Sequence, residues 1–344
     1  MKNIKIIHGF INPIQKTNGM LSINKHMITH KSRFNLLILF LLFTLQVTFA
    51  QKFIIPVLPD TQYEMSDNPE MFISQINWIA NNKTLLNIPI VLHVGDITNW
   101  QTPDQFMWKT ASRGFKILDH ARIPYALTLG NHDCAAVMAG GNTAPGDVIA
   151  NLRDTRQFNE YFPVQRFKSQ KGRFEKNKSD NAWYTFKAGG LKWLVVTLEF
   201  ATRQGPVDWA NKVISSKPNY NVIIVTHNFL TGKGTICQDK SGIGYLGPQS
   251  VYDQLVKIHS NILMVVSGHV CSSAWCDGIG VNGNHIYQML QDYQADHSGG
   301  GFIRLLEIDT KEATISAKMY SPYSNQTKTD SSLFSFSNVK FIGK

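Results

Sequence analysis

Residues 88–96 read IPIVLHVGD. An apolar, β-branched run closes on Gly-Asp. A near-continuous apolar run suits a strand covered on both faces. The aspartate then stands just beyond a strand end, where α/β folds hold their ligands. The same grammar recurs along the chain. FIIPVLP (53–59) precedes Asp60, and IPYALTLG (123–130) precedes Asn131. WLVVTL (193–198) precedes Glu199, VIIVT (222–226) precedes His227, and ILMVVSG (262–268) precedes His269.

Helical patterns lie between these runs. Residues 69–82 follow Asn68, and residues 103–121 follow Thr102, both N-cap residue types. Residues 206–216 and 248–260 each open with proline, which favours the first turn of a helix. Alternation of this kind predicts an α/β protein with helices packed outside the sheets. AWYTFKAGGLKWLVVTLEF (182–200) reads as a hairpin turning at 188–190, and FIRLLEIDTKEATISAKMYSP (302–322) as another. The sheets are therefore expected to be mixed. Residues 134–181 are expected to form a long irregular insertion, with a Gly-rich start and a basic tract, QRFKSQKGRFEKNKS (165–179). That tract reads as a solvated face.

The chain has 344 residues, 43% hydrophobic, and a net charge of +10. The first 50 residues hold six basic residues and no acid. From Met27 the sequence runs MITHKSRFNLLILFLLFTLQVTFAQ, a basic start, an apolar core from Leu36 to Leu45, and small residues at Thr48 and Ala50. This is the anatomy of a secretory signal peptide cleaved after Ala50. The apolar core is short against the ~20 residues of a membrane span. Residues 1–26 lack the pattern, which leaves Met20 and Met27 open as start sites. The expected organisation is a leader over 1–50 and a single domain over 51–344, exported to the periplasm or medium, with the leader as its one membrane-directed segment. Without the leader, 28 basic residues face 24 acidic ones, a net of +4. The high pI is thus a targeting feature, and no specific nucleic-acid partner is predicted. Four cysteines, Cys134, Cys237, Cys271 and Cys276, allow three full pairings in an exported chain. The sequence sets no oligomeric state.

The strand ends together offer Asp60 with Gln62, Asp96, the run Asn131-His132-Asp133, His227 and His269. Gly95, Gly130 and Gly268 precede three of them and are read as sharp turns. Carboxylate, carboxamide and imidazole donors suit Mn, Fe or Zn. A bridging aspartate would set two ions where both the attacking and leaving oxygens of a phosphoryl group can be clamped.

In these motifs the chain resembles the calcineurin-like metallophosphoesterase family: D60-x-Q62, G95-D96, G130-N131-H132-D133, H227 and G268-H269-V270-C271. The resemblance spans Phe53 to about Cys271. It implies a four-layer αββα sandwich of two mixed sheets with a dinuclear metal site at the strand ends. It implies that Asp96 bridges two divalent ions, that Asn131, His227 and His269 complete one site, and that Asp60 and Gln62 serve the other. His132 would stand beside the phosphate and stabilise or protonate the leaving oxygen, with Asp133 supporting it. The implied activity is hydrolysis of phosphomonoesters or phosphodiesters by metal-activated water.

Two positions depart from the family pattern, both on the same ion. Gln62 and Cys271 stand where histidines are usual. Cys271 as a thiolate would favour Zn; it could equally be a small packed residue or half of a disulfide with Cys276 or Cys237. The second site is expected to be the weaker one. Purple acid phosphatases of this pattern place a tyrosine where Asn99 stands, so a tyrosinate-bound ferric site is not expected. Tyr293 and His297, in the run QDYQADHSGGG (291–301), are candidates for the substrate pocket. His93 reads as a core histidine. Two further readings stand beside the hydrolase. One is a catalytically weak phosphate- or glycan-binding module of the same fold, against which His132 with Asp133 argues. The other is a nuclease using the basic tract on a polyanion.

Overall fold

The computed structural model describes residues 51–344 apart from Asp296 and Ser331, and the side chain of His297 is likewise not described. The expected leader, residues 1–50, lies outside the described residues.

The first sheet opens with β1 (Lys52–Leu58), β2 (Val91–His93) and β3 (Tyr125–Leu127), which run parallel. The end of the chain adds β11 (Ile303–Asp309), β12 (Thr314–Ser321), β13 (Gln326–Thr327) and β14 (Phe334–Phe336). The order is β13-β12-β11-β1-β2-β3, with β14 also on β12 and β11 antiparallel to β1. The second sheet runs β4 (Gln170–Arg173), β5 (Ala182–Ala188), β6 (Leu191–Leu198), β7 (Asn221–Thr226), β8 (Ile262–Ser267), β10 (His285–Gln291), β9 (Ser273–Ile279). Strands β6, β7, β8 and β10 are parallel, and the outer strands are antiparallel. Both sheets are mixed, as the hairpin patterns imply.

The continuous apolar runs are explained by cover on both faces. Along β6, Trp193 and Val195 enter the core between the sheets, while Leu194, Val196 and Leu198 enter the core on the outer face. That outer core is closed by α6 (Gln204–Ser215) through Val207, Ala210 and Ile214, and by α7 (Pro248–Val251) with its π-helical continuation Tyr252–Val256. The first sheet is covered by α2 (Pro69–Asn82) and α3 (Phe106–His120), through Phe72, Ile76, Ile79 and Phe115. The result is four layers, helix–sheet–sheet–helix.

Two expectations need correction. The helix read over 103–121 begins at Phe106, because Thr102 Oγ1 donates to Asp104 Oδ1, and that oxygen in turn accepts the Phe106 amide. The stretch 134–181 is irregular only in part, chiefly over its Gly-rich start. It holds α4 (Val148–Arg153), capped by Asp147, then α5 (Arg156–Tyr161) and the edge strand β4. Six-residue helices are too short to display a hydrophobic period. Phe158 and Phe162 anchor the segment by packing against Trp108. In the basic tract, Arg166 bonds Asp119 and Ser112 and lies over Phe162, so it serves packing.

Candidate metal centre

Register brings the polar residues together. In the first sheet Leu58, His93 and Leu127 share one row. In the second, Leu198 is level with Thr226, Val225 with Val266, and Ser267 with Leu290. The residues that follow all leave the sheets at one edge. Asp60, Asp96, Asn131, His132, Asp133, His227 and His269 meet there.

The loops after these strands hold unusual backbone. Asp96 has φ +50° and His269 has φ +73°, the left-handed region that costs non-glycine residues energy and persists at functional sites. Of the three glycines read as turns, Gly95 alone has positive φ, +99°. Gly130 and Gly268 are there for space: a Cβ would lie 1.9 Å from Asp96 Oδ1 at the first and 2.1 Å from Asp60 Oδ1 at the second.

Hydrogen bonds then aim the side chains. His227 is fully buried, and its Nδ1–H donates to the Val94 carbonyl at 2.9 Å. That fixes the tautomer and turns Nε2 toward Asp96 Oδ2, 3.1 Å away, and His269 Nδ1, 3.2 Å away. Atoms of Asp96, His227 and His269 lie within 4.8 Å of one another. Three electron-rich atoms at that separation need a cation among them, a proton or a metal ion. Burial opposes ionisation of Asp96, but His227 and its hydrogen bond overcome it and hold the carboxyl at about 2. His227 is raised despite its burial, because Asp96 faces it, while burial and then His227 lower His269 to about 4.

Asp60 Oδ2 accepts the His269 amide at 3.0 Å, and its Oδ1 has no partner. Burial, then Asp292 and Asp96, push its carboxyl well above the usual range. Gln62 opens α1 (Gln62–Asp67); its amide nitrogen donates to Gln294 Oε1, and its own Oε1 is buried without a donor. Asn131 Oδ1 is likewise orphaned. Buried acceptors without donors are costly. Acceptors gathered from Asp60, Gln62 and Asn131 beside the Asp96–His227–His269 cluster form a donor set that fits divalent cations.

His132 donates its backbone amide to Asp96 Oδ1 at 2.9 Å, and its Nδ1–H donates to the Asn99 carbonyl. Asp133 does not touch that ring. Its oxygens accept the Thr98 and Gly130 amides at 3.1 and 3.0 Å, tying the loop after β2 to the loop after β3. Burial, then Asp96, raise it to about 7. His93 is fully buried, with Nδ1 accepting the Gly95 amide and Nε2 facing Thr61 Oγ1 at 3.1 Å. Burial lowers it to about 3, so the ring is neutral and braces two of the loops.

All four cysteines are free. Cys271 is exposed, its sulfur 3.4 Å from Gln294 Nε2, and burial of the sulfur followed by the charge of Asp292 raise its pKa. Tyr293 packs with Phe302 and Met319, its hydroxyl 3.3 Å from Arg304. The side chain of His297 is outside the described residues. Sequence reasoning missed Asp292 and Gln294. Asp292 follows β10 as the other polar residues follow their strands, but Gln288 and Gln291 interrupt that run and disguise it as an exposed strand. In a second acidic group, Glu175 and Glu199 pair with Arg203 and Arg153, and Asp180 faces Lys178.

Residues 57–273 match the family model described as calcineurin-like phosphoesterase. The chain belongs to the calcineurin-like phosphoesterase family. This is a family of metal-dependent hydrolases acting on phosphoester bonds. The chain is 30% identical over 272 residues to an uncharacterized protein, YvnB, of Bacillus subtilis (strain 168). That match covers 77% of this chain and 19% of YvnB, so the chain spans about a fifth of its relative. Its fold is similar to that of a dimetal phosphatase from Danio rerio, with a TM-score of 0.51 at 11% identity, covering 80% of this chain and 98% of the other.

Proposed function

We propose that this chain is an exported phosphoester hydrolase working through two divalent ions. The convergence of Asp96, His227 and His269 at one strand edge carries the reading. Asp96 Oδ2 faces His227 Nε2, and its Oδ1 accepts the His132 amide. Asn131, His227 and His269 would hold one ion with it, and Asp60 and Gln62 the other. The bound ions supply Lewis acidity toward the phosphoryl group and the attacking water.

The remaining steps belong to side chains. His132 keeps Nδ1 protonated against the Asn99 carbonyl. A proton on Nε2 is then the one it can give to the leaving oxygen. Asp133 holds the two loops that set His132 relative to Asp96. A non-catalytic binder has no use for a histidine so oriented, which favours hydrolysis over a phosphate- or glycan-binding role.

What adjoins the centre supports one kind of substrate. The Phe200 ring lies 5.6 Å from the His227 ring and 5.3 Å from the His269 ring. Phe200 also lines a cavity of about 440 Å³ with Ile149, Leu152, Tyr245, Leu246 and Val251. A phosphomonoester or phosphodiester with an apolar or aromatic group would place that group there. Export rests on the leader pattern alone, and intact-mass measurement of protein secreted by its native type of host tests it: retention of residues 27–50 in a membrane fraction contradicts it. The activity is tested by screening monoesters and diesters of graded hydrophobicity with Mn, Zn, Fe or Mg. Hydrolysis that needs a divalent ion and improves with an apolar group supports the reading. Turnover of none of these esters refutes it.

A further inference from the structure

Two of the donors that the family pattern would give to the second ion are altered here, at Gln62 and Cys271. The residues around them show what makes up the difference. Strand β10 pairs with β8 in parallel, Leu290 level with Ser267, so the segment after β10 emerges at the same edge as His269 and Cys271. Asp292 is the first residue beyond that strand and is 2% exposed. Its Oδ1 accepts the Gln294 amide at 3.0 Å, and its Oδ2 accepts Gln294 Nε2 at 2.9 Å. Gln294 in turn reaches Cys271 Sγ at 3.4 Å and accepts from the Gln62 side chain. A carboxylate oxygen has two lone pairs, so one donor on each leaves Asp292 free to ligate.

Like charges buried together are expensive. Asp60, Asp96 and Asp292 are all buried, no lysine or arginine is bonded to any of them among the described residues, and Asp60 Oδ1 and Gln62 Oε1 lack donors. The segment is also held in place. Fully buried Arg304 donates to the Leu290 carbonyl at 3.1 Å and to the Tyr293 hydroxyl at 3.3 Å, on either side of Asp292. Asp292 lies beyond residues 57–273, the part that matches the family model.

We infer that Asp292 supplies a carboxylate to the second ion, in place of the imidazole donors that Gln62 and Cys271 do not provide. The inference rests on the dimetal reading above. It makes that site rich in oxygen, with Asp60, Asp96, Gln62 and Asp292 around one cation. Such a set prefers a hard ion, Mn or Mg, to Zn.

The test is Mn binding by wild-type, Asp292→Asn, Asp292→Glu and Gln294→Ala protein, read as metal equivalents per chain and as the electron paramagnetic resonance spectrum. Wild type should bind two Mn and show the signal of an exchange-coupled pair. Asp292→Asn should keep one Mn and give an uncoupled spectrum. Its weaker site should lose more than the roughly 10- to 100-fold that removing a group supporting a ligand costs. Gln294→Ala should stay within that range, and Asp292→Glu, which keeps a carboxylate, should bind the second Mn more tightly than Asp292→Asn. Two tight, coupled Mn in Asp292→Asn would overturn the inference and leave the dimetal reading standing. So would equal losses in Gln294→Ala and Asp292→Asn. Wild-type protein that binds no Mn would overturn both.

Discussion

Gly268→Ala tests whether the strand-end glycines exist to make room for carboxylates. The added Cβ would lie 2.1 Å from Asp60 Oδ1 and 2.7 Å from Val94 Cγ2, against an ordinary contact of 3.4 Å or more. Asp60 must therefore retreat by about 1.3 Å, or the loop must move. Retreat draws Asp60 Oδ2 away from the His269 amide, now at 3.0 Å. Overpacking of this kind typically costs about 1–3 kcal/mol. Misplacing a catalytic group by about 1 Å costs roughly 100-fold in rate. Denaturant unfolding of the metal-free protein should show the stability loss, and kcat/KM with Mn in excess should fall by about that factor. The loss should be largest at low Mn, where a displaced Asp60 weakens the second site. Because Gly268 does not have positive φ, backbone strain cannot produce the effect. Wild-type stability and wild-type kcat/KM in Gly268→Ala would refute the reasoning.

Other outcomes follow from the same geometry. His132→Ala should lower kcat by roughly 100- to 10,000-fold while leaving metal content unchanged; loss of metal with undiminished turnover per ion would reverse the assignment. Cys271→Ser should keep most activity with Mn in excess if oxygen donors hold the second ion as proposed, whereas complete loss in folded protein would make the thiol a ligand. Glu199→Gln should destabilise at pH 7 by an amount toward the low end of roughly 3–5 kcal/mol, because Arg153 loses its carboxylate partner and Arg203 is left with Glu175 alone. Burial works against the Glu199 carboxylate, but its bonds to Arg203 prevail and hold its pKa below the ordinary 4.5. Its contribution is thus complete above about pH 4.5 and lost as pH falls through the lower folded value, so wild type and Glu199→Gln should converge as the pH is taken progressively below 4.5 in denaturant unfolding.

Strand ends were legible because cover on both faces writes a strand as an unbroken apolar run. WLVVTL and VIIVT need no partner to be recognised; the residue that stops VIIVT, His227, belongs to the site, whereas Glu199 after WLVVTL pairs with Arg153 and Arg203. Strand β10 broke the rule. Gln291 is buried and donates to the Val57 carbonyl, a bond between the two sheets that local sequence cannot reveal. It hid the strand end, and with it Asp292, while the neighbouring Tyr293 drew notice and packs against Phe302 instead. The glycines were found but misread at two positions. Closeness of Gly130 to Asp96 and of Gly268 to Asp60 is a tertiary fact, whereas a turn is a local one. Helices α4 and α5 escaped because they depend on the Asp147 cap and on aromatic packing against Trp108.

The central claim is that Asp96 holds two ions together and that hydrolysis depends on both. Metal content and phosphoester turnover of chelated, Mn-reconstituted wild type and Asp96→Asn test it most directly. Wild type should take up two Mn per chain and regain turnover with the second, while Asp96→Asn should retain neither firmly and turn over no substrate. Full hydrolysis in the presence of chelator, or an Asp96→Asn protein with two tight Mn and normal turnover, would contradict it.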